Sequence, residues 1–181
     1  MNGHQKQKEQ SGRMIEEALF SLLEKKGLEA ITVSELVKRA DVARRTFYRL
    51  YDRKEDVLHR YFQRLCEDYK RAYPALEMYD RKQIAEDFFC FWYAHRERLL
   101  LLYRCGLEEM FYHEVRQASA DVVKSRIGDS PEKEDSEFVY FACYSAGGFL
   151  MLLDRWISDG MQEPPEEYAR KVGSALAKFI V

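Results

Sequence analysis

Residues 31–58 read ITVSELVKRADVARRTFYRLYDRKEDVL, and the spacing of their apolar positions decides the fold. Thr32-Val33-Ser34-Glu35 has the pattern of a capping box, in which a threonine hydroxyl and a glutamate carboxylate each satisfy a main-chain N–H that the first turn of a helix leaves unpaired. The helix so opened is short, with Leu36, Val37 and Ala40 inward. Asp41-Val42-Ala43 breaks it, and a second short helix is expected over residues 44–51. Phe47 and Tyr51 lie one turn apart and face Val42 and Leu36, which leaves Arg44, Arg45, Thr46, Tyr48 and Arg49 outward. Two short helices joined by a tight turn with an apolar residue in it are the parts of a helix-turn-helix. Arginines, a hydroxyl and a phenol on one short helix suit the major groove, where arginine bonds guanine edges with two prongs and threonine or tyrosine holds phosphates. An ordinary basic surface helix has the same composition, so RRTFYR by itself does not separate the two readings.

Charge along the chain favours the groove. The net charge is −2, yet residues 1–60 carry 13 Lys/Arg against 10 Asp/Glu, and residues 61–181 carry 16 against 21. Between Lys38 and Lys54 seven basic residues face two acidic ones. A basic module on an acidic body meets the local need of phosphate attraction while the rest of the surface keeps the chain in solution.

Residues 31–58 also resemble the DNA-binding signature of the TetR family. There a Thr-led helix, an A-G-V-S turn, a T-F-Y-x-[HY]-F recognition helix and a K-E-x-L helix start follow in fixed register. The matching residues are Thr32, Ala40, Val42, Thr46, Phe47, Tyr48, Tyr51, Lys54, Glu55 and Leu58, without a gap. The resemblance implies that Tyr48 and Lys54 contact phosphates, that Arg44, Arg45 and Arg49 read or approach bases, and that Phe47 packs. The expected DNA-binding set is therefore Thr32, Ser34, Arg44, Arg45, Thr46, Tyr48, Arg49 and Lys54. Three positions depart from the pattern. Asp41 stands for the turn glycine, Ala43 for an N-cap serine worth about 1 kcal/mol, and Leu50 for a His or Tyr that contacts phosphate.

Outside this stretch the apolar spacing is helical throughout. Helices are expected over residues 11–26, 54–72 (ended by Pro74), 81–95, 97–103, 107–127 and 135–158, with a polar loop at 128–134 and a last helix from Pro165, a residue suited to the first helical position. No stretch alternates as a strand does. Phe88-Phe89-Cys90-Phe91-Trp92-Tyr93-Ala94 is apolar on every side, which marks a central helix. The expected organisation is all-α: a disordered basic arm at 1–10, a helix-turn-helix head at 11–53, and a helical effector-binding and dimerising body at 54–181.

Residues 144–169 resemble the end of the regulatory domain in TetR-like proteins, where the last two long helices pair with their twofold mates. Gly147 and Gly148 in mid-helix each cost about 1 kcal/mol against alanine, a cost that close approach of another helix would offset. Met151, Leu152, Arg155 and Trp156 continue that face, and Val172, Leu176 and Phe179 supply the last helix. The alternative is a glycine pair packed within one subunit. A homodimer would read a palindrome, since one short helix spans too few base pairs for useful specificity.

The resemblance further implies a small effector, apolar or aromatic, in the body. Its candidate lining is Phe88, Trp92, His95, Tyr103, Phe111, Tyr112, Tyr140 and Tyr144, although aromatic residues at helical spacing are also ordinary core. A second reading makes the protein a TetR-fold interaction protein or coactivator governed by a partner protein.

No metal site, cofactor or enzyme is expected: the histidines have no motif partners, and HExxH, GxSxG and phosphate-loop glycines are missing. Cys66, Cys90, Cys105 and Cys143 are read as buried thiols of a reducing cytoplasm; a thiol sensor would use Cys105 or Cys143, of which only Cys105, beside Arg104, has a positive charge at hand. The polar start MNGHQKQKEQSGR carries no apolar secretion core. The uncharged run 138–153 is shorter than the roughly 20 residues a membrane span needs.

Overall fold

A computed structural model describes residues 3–73, 81–127 and 137–179. Among the described residues there is no strand, and nine α-helices follow in order: α1 (Gly3–Leu23), α2 (Val33–Arg39), α3 (Arg44–Leu50), α4 (Glu55–Ala72), α5 (Arg81–Ala94), α6 (Arg96–Arg104), α7 (Glu108–Ile127), α8 (Glu137–Ser158) and α9 (Pro165–Phe179), with one 3-10 turn at Leu28–Ala30. Pro74 and the polar loop 128–134 lie outside the described residues.

The first helix is longer than the apolar periodicity foretells. Residues 3–10, expected as part of a disordered arm, belong to α1. Residues 5–10 are exposed, so burial does not hold them. Gln, Lys and Glu are good helix formers, and extending a helix already nucleated by buried turns is cheap.

The chain divides into two compact units, Met1–Cys66 with Arg104–Val115, and Glu67–Tyr103 with Arg116–Val181. The expected boundary at residue 53 therefore moves: the first part of α4 and the first part of α7 belong with the head. One long helix and two of seven residues enclose little core of their own. Val57, Leu58, Tyr61, Phe62 and Leu65 of α4 are buried, and the rings of Phe62 and Phe111 of α7 stand 5.5 Å apart. In this unit α1 packs on α2 and α3, and α2 on α3. Ile15, Leu19, Leu36 and Phe47 are fully enclosed. One charge is buried among them, the Glu16 carboxylate, which accepts from Arg64 Nη2 of α4 at 2.5 Å.

In the second unit α9 lies along α5. Phe89 and Trp92 of α5, Leu153, Trp156 and Ile157 of α8, and Val172 of α9 are buried. The Trp156 ring is stacked with both Tyr93, at 5.6 Å, and Tyr168, at 4.9 Å. Among the described residues no helix is long and apolar enough to cross a membrane.

Candidate nucleic-acid interface

The helix-turn-helix is built from its caps inward. The Thr32 hydroxyl accepts the Glu35 N–H at 3.2 Å, which fixes the first turn of α2. Lys26 donates to the Glu35 carboxylate at 2.6 Å and, with the Thr32 main chain, holds that carboxyl below its usual range. At the turn Asp41 adopts φ 52°, the left-handed conformation in which the family signature has glycine. Asp tolerates that region better than most side chains. The Val42 N–H then returns to the Val37 carbonyl at 3.1 Å.

No side chain caps α3. Its orientation comes from packing instead: Phe47, Leu50 and Tyr51 are all buried, with Phe47 and Tyr51 ring centroids 5.6 Å apart. Leu50 is therefore a core residue. Burial pushes the Tyr51 phenol up, while the Arg60 guanidinium, 5.3 Å from its ring centroid, acts in the opposite direction.

The other side of the helix-turn-helix is open to solvent. Thr32, Ser34, Arg44, Arg45, Tyr48 and Arg49 are exposed and Thr46 is half-buried. Arg44 spans the two helices, with Nη1 donating to Ser34 Oγ at 2.8 Å and Nη2 to the Tyr48 hydroxyl at 3.2 Å. Its guanidinium carbon lies 5.5 Å from the Tyr48 ring centroid. Below this surface an open cleft of about 310 Å³ runs from Tyr48 and Arg49 past His59, Arg60 and Gln63 of α4. His59 Nδ1 is 2.8 Å from the Glu114 carboxylate.

Lys54 is placed otherwise than the resemblance implies. Its ammonium donates to the carbonyls of Leu28 (2.8 Å), Ile31 (3.0 Å) and Glu29 (3.2 Å), and the side chain is only 15 % exposed. An ammonium has three donors, and here all are directed at the turn that launches α2. Sequence reasoning missed this clamp, the Arg44–Ser34 contact and the buried Glu16–Arg64 pair, because each joins residues ten or more apart with no local pattern to betray it.

The expected effector residues fall in both units. Phe88, Trp92, His95 and Tyr103 belong to the second unit, whereas Phe111 and Tyr112 belong to the first. Trp92 and Phe111 are buried in core, and Phe88, His95, Tyr103 and Tyr112 are half-buried. Phe88 meets Trp92 and Phe149, His95 stands 5.1 Å from Phe91, and the Tyr103 hydroxyl donates to Asp154 at 3.0 Å. Tyr140 and Tyr144 are 71 % and 61 % exposed on α8, on the face that carries the glycines.

Along that face Gly147, Gly148, Met151 and Arg155 are exposed too, with Met151 at 68 %. A Cβ added at either glycine would meet nothing within 4 Å, so neither glycine is explained by packing within the described part of this chain. Arg155 Nε donates to Asp159 at 2.7 Å. Leu152 is half-buried, and its carbonyl accepts from the Tyr168 hydroxyl at 2.9 Å. Leu176 is exposed, but Val172 is buried in its own unit, so it is a core residue rather than a surface one. The side chain of Phe179 lies outside the described residues.

Of the four cysteines only Cys66 is buried; Cys90 and Cys105 are half-buried and Cys143 is exposed. Burial pushes the Cys105 thiol up, outweighing Arg104, and Cys105 Sγ points at the Leu23 carbonyl. A reactive thiolate needs the opposite shift.

A helix-turn-helix whose second helix buries its aromatic side and shows its cations defines a DNA-binding protein. Comparison with known families agrees: the model described as bacterial regulatory proteins, tetR family, matches residues 15–61, and the one described as transcriptional regulator C-terminal region matches residues 80–178. The chain belongs to the TetR family of DNA-binding transcriptional regulators, which are transcription factors and not enzymes. It is similar to the uncharacterized HTH-type transcriptional regulator YxbF of Bacillus subtilis (strain 168), with 22 % identity over 177 residues, 94 % of this chain and 46 % of that protein. The chain thus spans about half the length of the curated relative it matches.

Proposed function

We propose that this regulator binds a palindromic operator as a homodimer in the cytoplasm and represses the promoter it covers, under control of a small apolar or aromatic effector held in the helical body. The observation that carries the reading is the division of α3, with Phe47 and Leu50 enclosed and Arg44, Arg45, Tyr48 and Arg49 exposed on one surface. Such a surface neutralises phosphates and reaches base edges at once. The dimer is supported by the α8 face, where Tyr140, Tyr144 and Met151 stand exposed beside Gly147 and Gly148. Apolar side chains gathered in this way on a surface call for a cover, and small residues among them let a second helix come close. The α5 aromatics supply apolar walls for an effector, which acts as a switch only by binding two conformations unequally.

Selection of bound sequences from a random duplex pool tests the reading. The expected product is an inverted repeat with half-site centres about one helical turn, roughly 10 bp, or a multiple apart. A pool with no enriched sequence would sink the reading of the head, and a single unrepeated half-site would sink the dimer.

A further inference from the structure

We propose that Ser34 is a positioning residue for base recognition, holding the guanidinium of Arg44 in the pose that reads the groove. This rests on the proposed operator reading. Arg44 is the first residue of α3, exposed, on a long side chain that free in water would sample many rotamers. Freezing such a side chain upon binding weakens and blurs recognition, whereas freezing it beforehand preserves both affinity and choice of base.

Here two anchors of different origin do the freezing. Ser34 Oγ, on α2, accepts from Nη1 at 2.8 Å, and the Tyr48 hydroxyl, one turn along α3, accepts from Nη2 at 3.2 Å. The Tyr48 ring, 5.5 Å from the guanidinium carbon, adds a weak attraction to the cation.

The donor inventory leaves the group able to read. Guanidinium carries one N–H on Nε and a pair on each terminal nitrogen. With one hydrogen spent on Ser34 and one on Tyr48, each nitrogen keeps a single N–H, enough for a two-pronged bond to the O6 and N7 of guanine. The Tyr48 hydroxyl accepts from Arg44 through oxygen, so its own proton stays available for a phosphate. Ser34 thus serves the interface without touching a base.

The test uses the full chain, the duplex selected above and the same duplex with single base-pair changes, read by fluorescence anisotropy across a salt titration. Arg44→Lys is expected to lose the preference at one base pair in each half-site. Ser34→Ala should reduce that same preference about 3- to 10-fold, the scale of one hydrogen bond, with an unchanged salt slope and an unchanged melting temperature. Ser34→Thr, which keeps the hydroxyl, should restore it. If Ser34→Ala weakens every duplex alike, or leaves the preference intact, the proposal is overturned while the operator reading stands. A wild-type protein with no base preference at any position overturns both, so the two failures are told apart.

Discussion

The ammonium of Lys54, at the threshold of α4, donates to the carbonyl of Ile31 at 3.0 Å. With the Leu28 and Glu29 carbonyls on the same ammonium, one side chain joins the start of α4 to the turn that precedes α2. Lys54→Ala leaves those carbonyls without their donor. A loss of about 1–3 kcal/mol is expected, read as a lower urea midpoint, with duplex binding by the folded fraction keeping its salt slope. A flattened salt slope with undiminished stability would return Lys54 to the phosphate role that the family signature implies.

Phe47 and Arg49 lie on opposite sides of α3, one enclosed and one exposed. Phe47→Ala should cost about 3–5 kcal/mol and abolish binding by loosening the recognition helix. Arg49→Ala should stay within about 0.5 kcal/mol of wild type and weaken sequence preference instead. Denaturation and anisotropy on the same samples check the pair; equal losses of stability in both variants would contradict the assigned faces.

Gly148→Leu tests the α8 face. Because nothing lies within 4 Å of a Cβ at that position, the isolated chain should accept leucine and gain about 1 kcal/mol of helix propensity. A closely approaching second copy should not, so sedimentation is expected to move toward monomer. Cys143, exposed on the same helix, should then be alkylated faster. An unchanged dimer would put the interface elsewhere.

The Lys26–Glu35 bridge gives a pH dependence of known sign. The Glu35 carboxyl is lowered from 4.5, first by the hydrogen bond from Lys26. A depressed folded-state pKa stabilises above the unfolded value, and the stabilisation fades as pH falls through the folded value. Glu35→Gln is expected to melt below wild type at neutral pH, with the gap closing under acid conditions. A gap that stays constant into acid would show that the bridge contributes nothing.

The sequence by itself determined the helical order, the helix-turn-helix and the split of α3 into an apolar and a cationic side. Helical period, caps and turn residues are local properties, and 31–58 holds them all within four or five turns. Asp41 in the left-handed region was legible for the same reason. Tertiary structure decided what periodicity does not encode. It enlisted the first part of α4 and of α7 into the head, sent Tyr140 and Tyr144 to the surface, drew Val172 into the core, and turned Lys54 onto three carbonyls. It also set Ser34 against Arg44. A side chain's character names the partners it tolerates, but which partner stands within reach depends on how distant segments cross, and that is fixed only when the whole core packs.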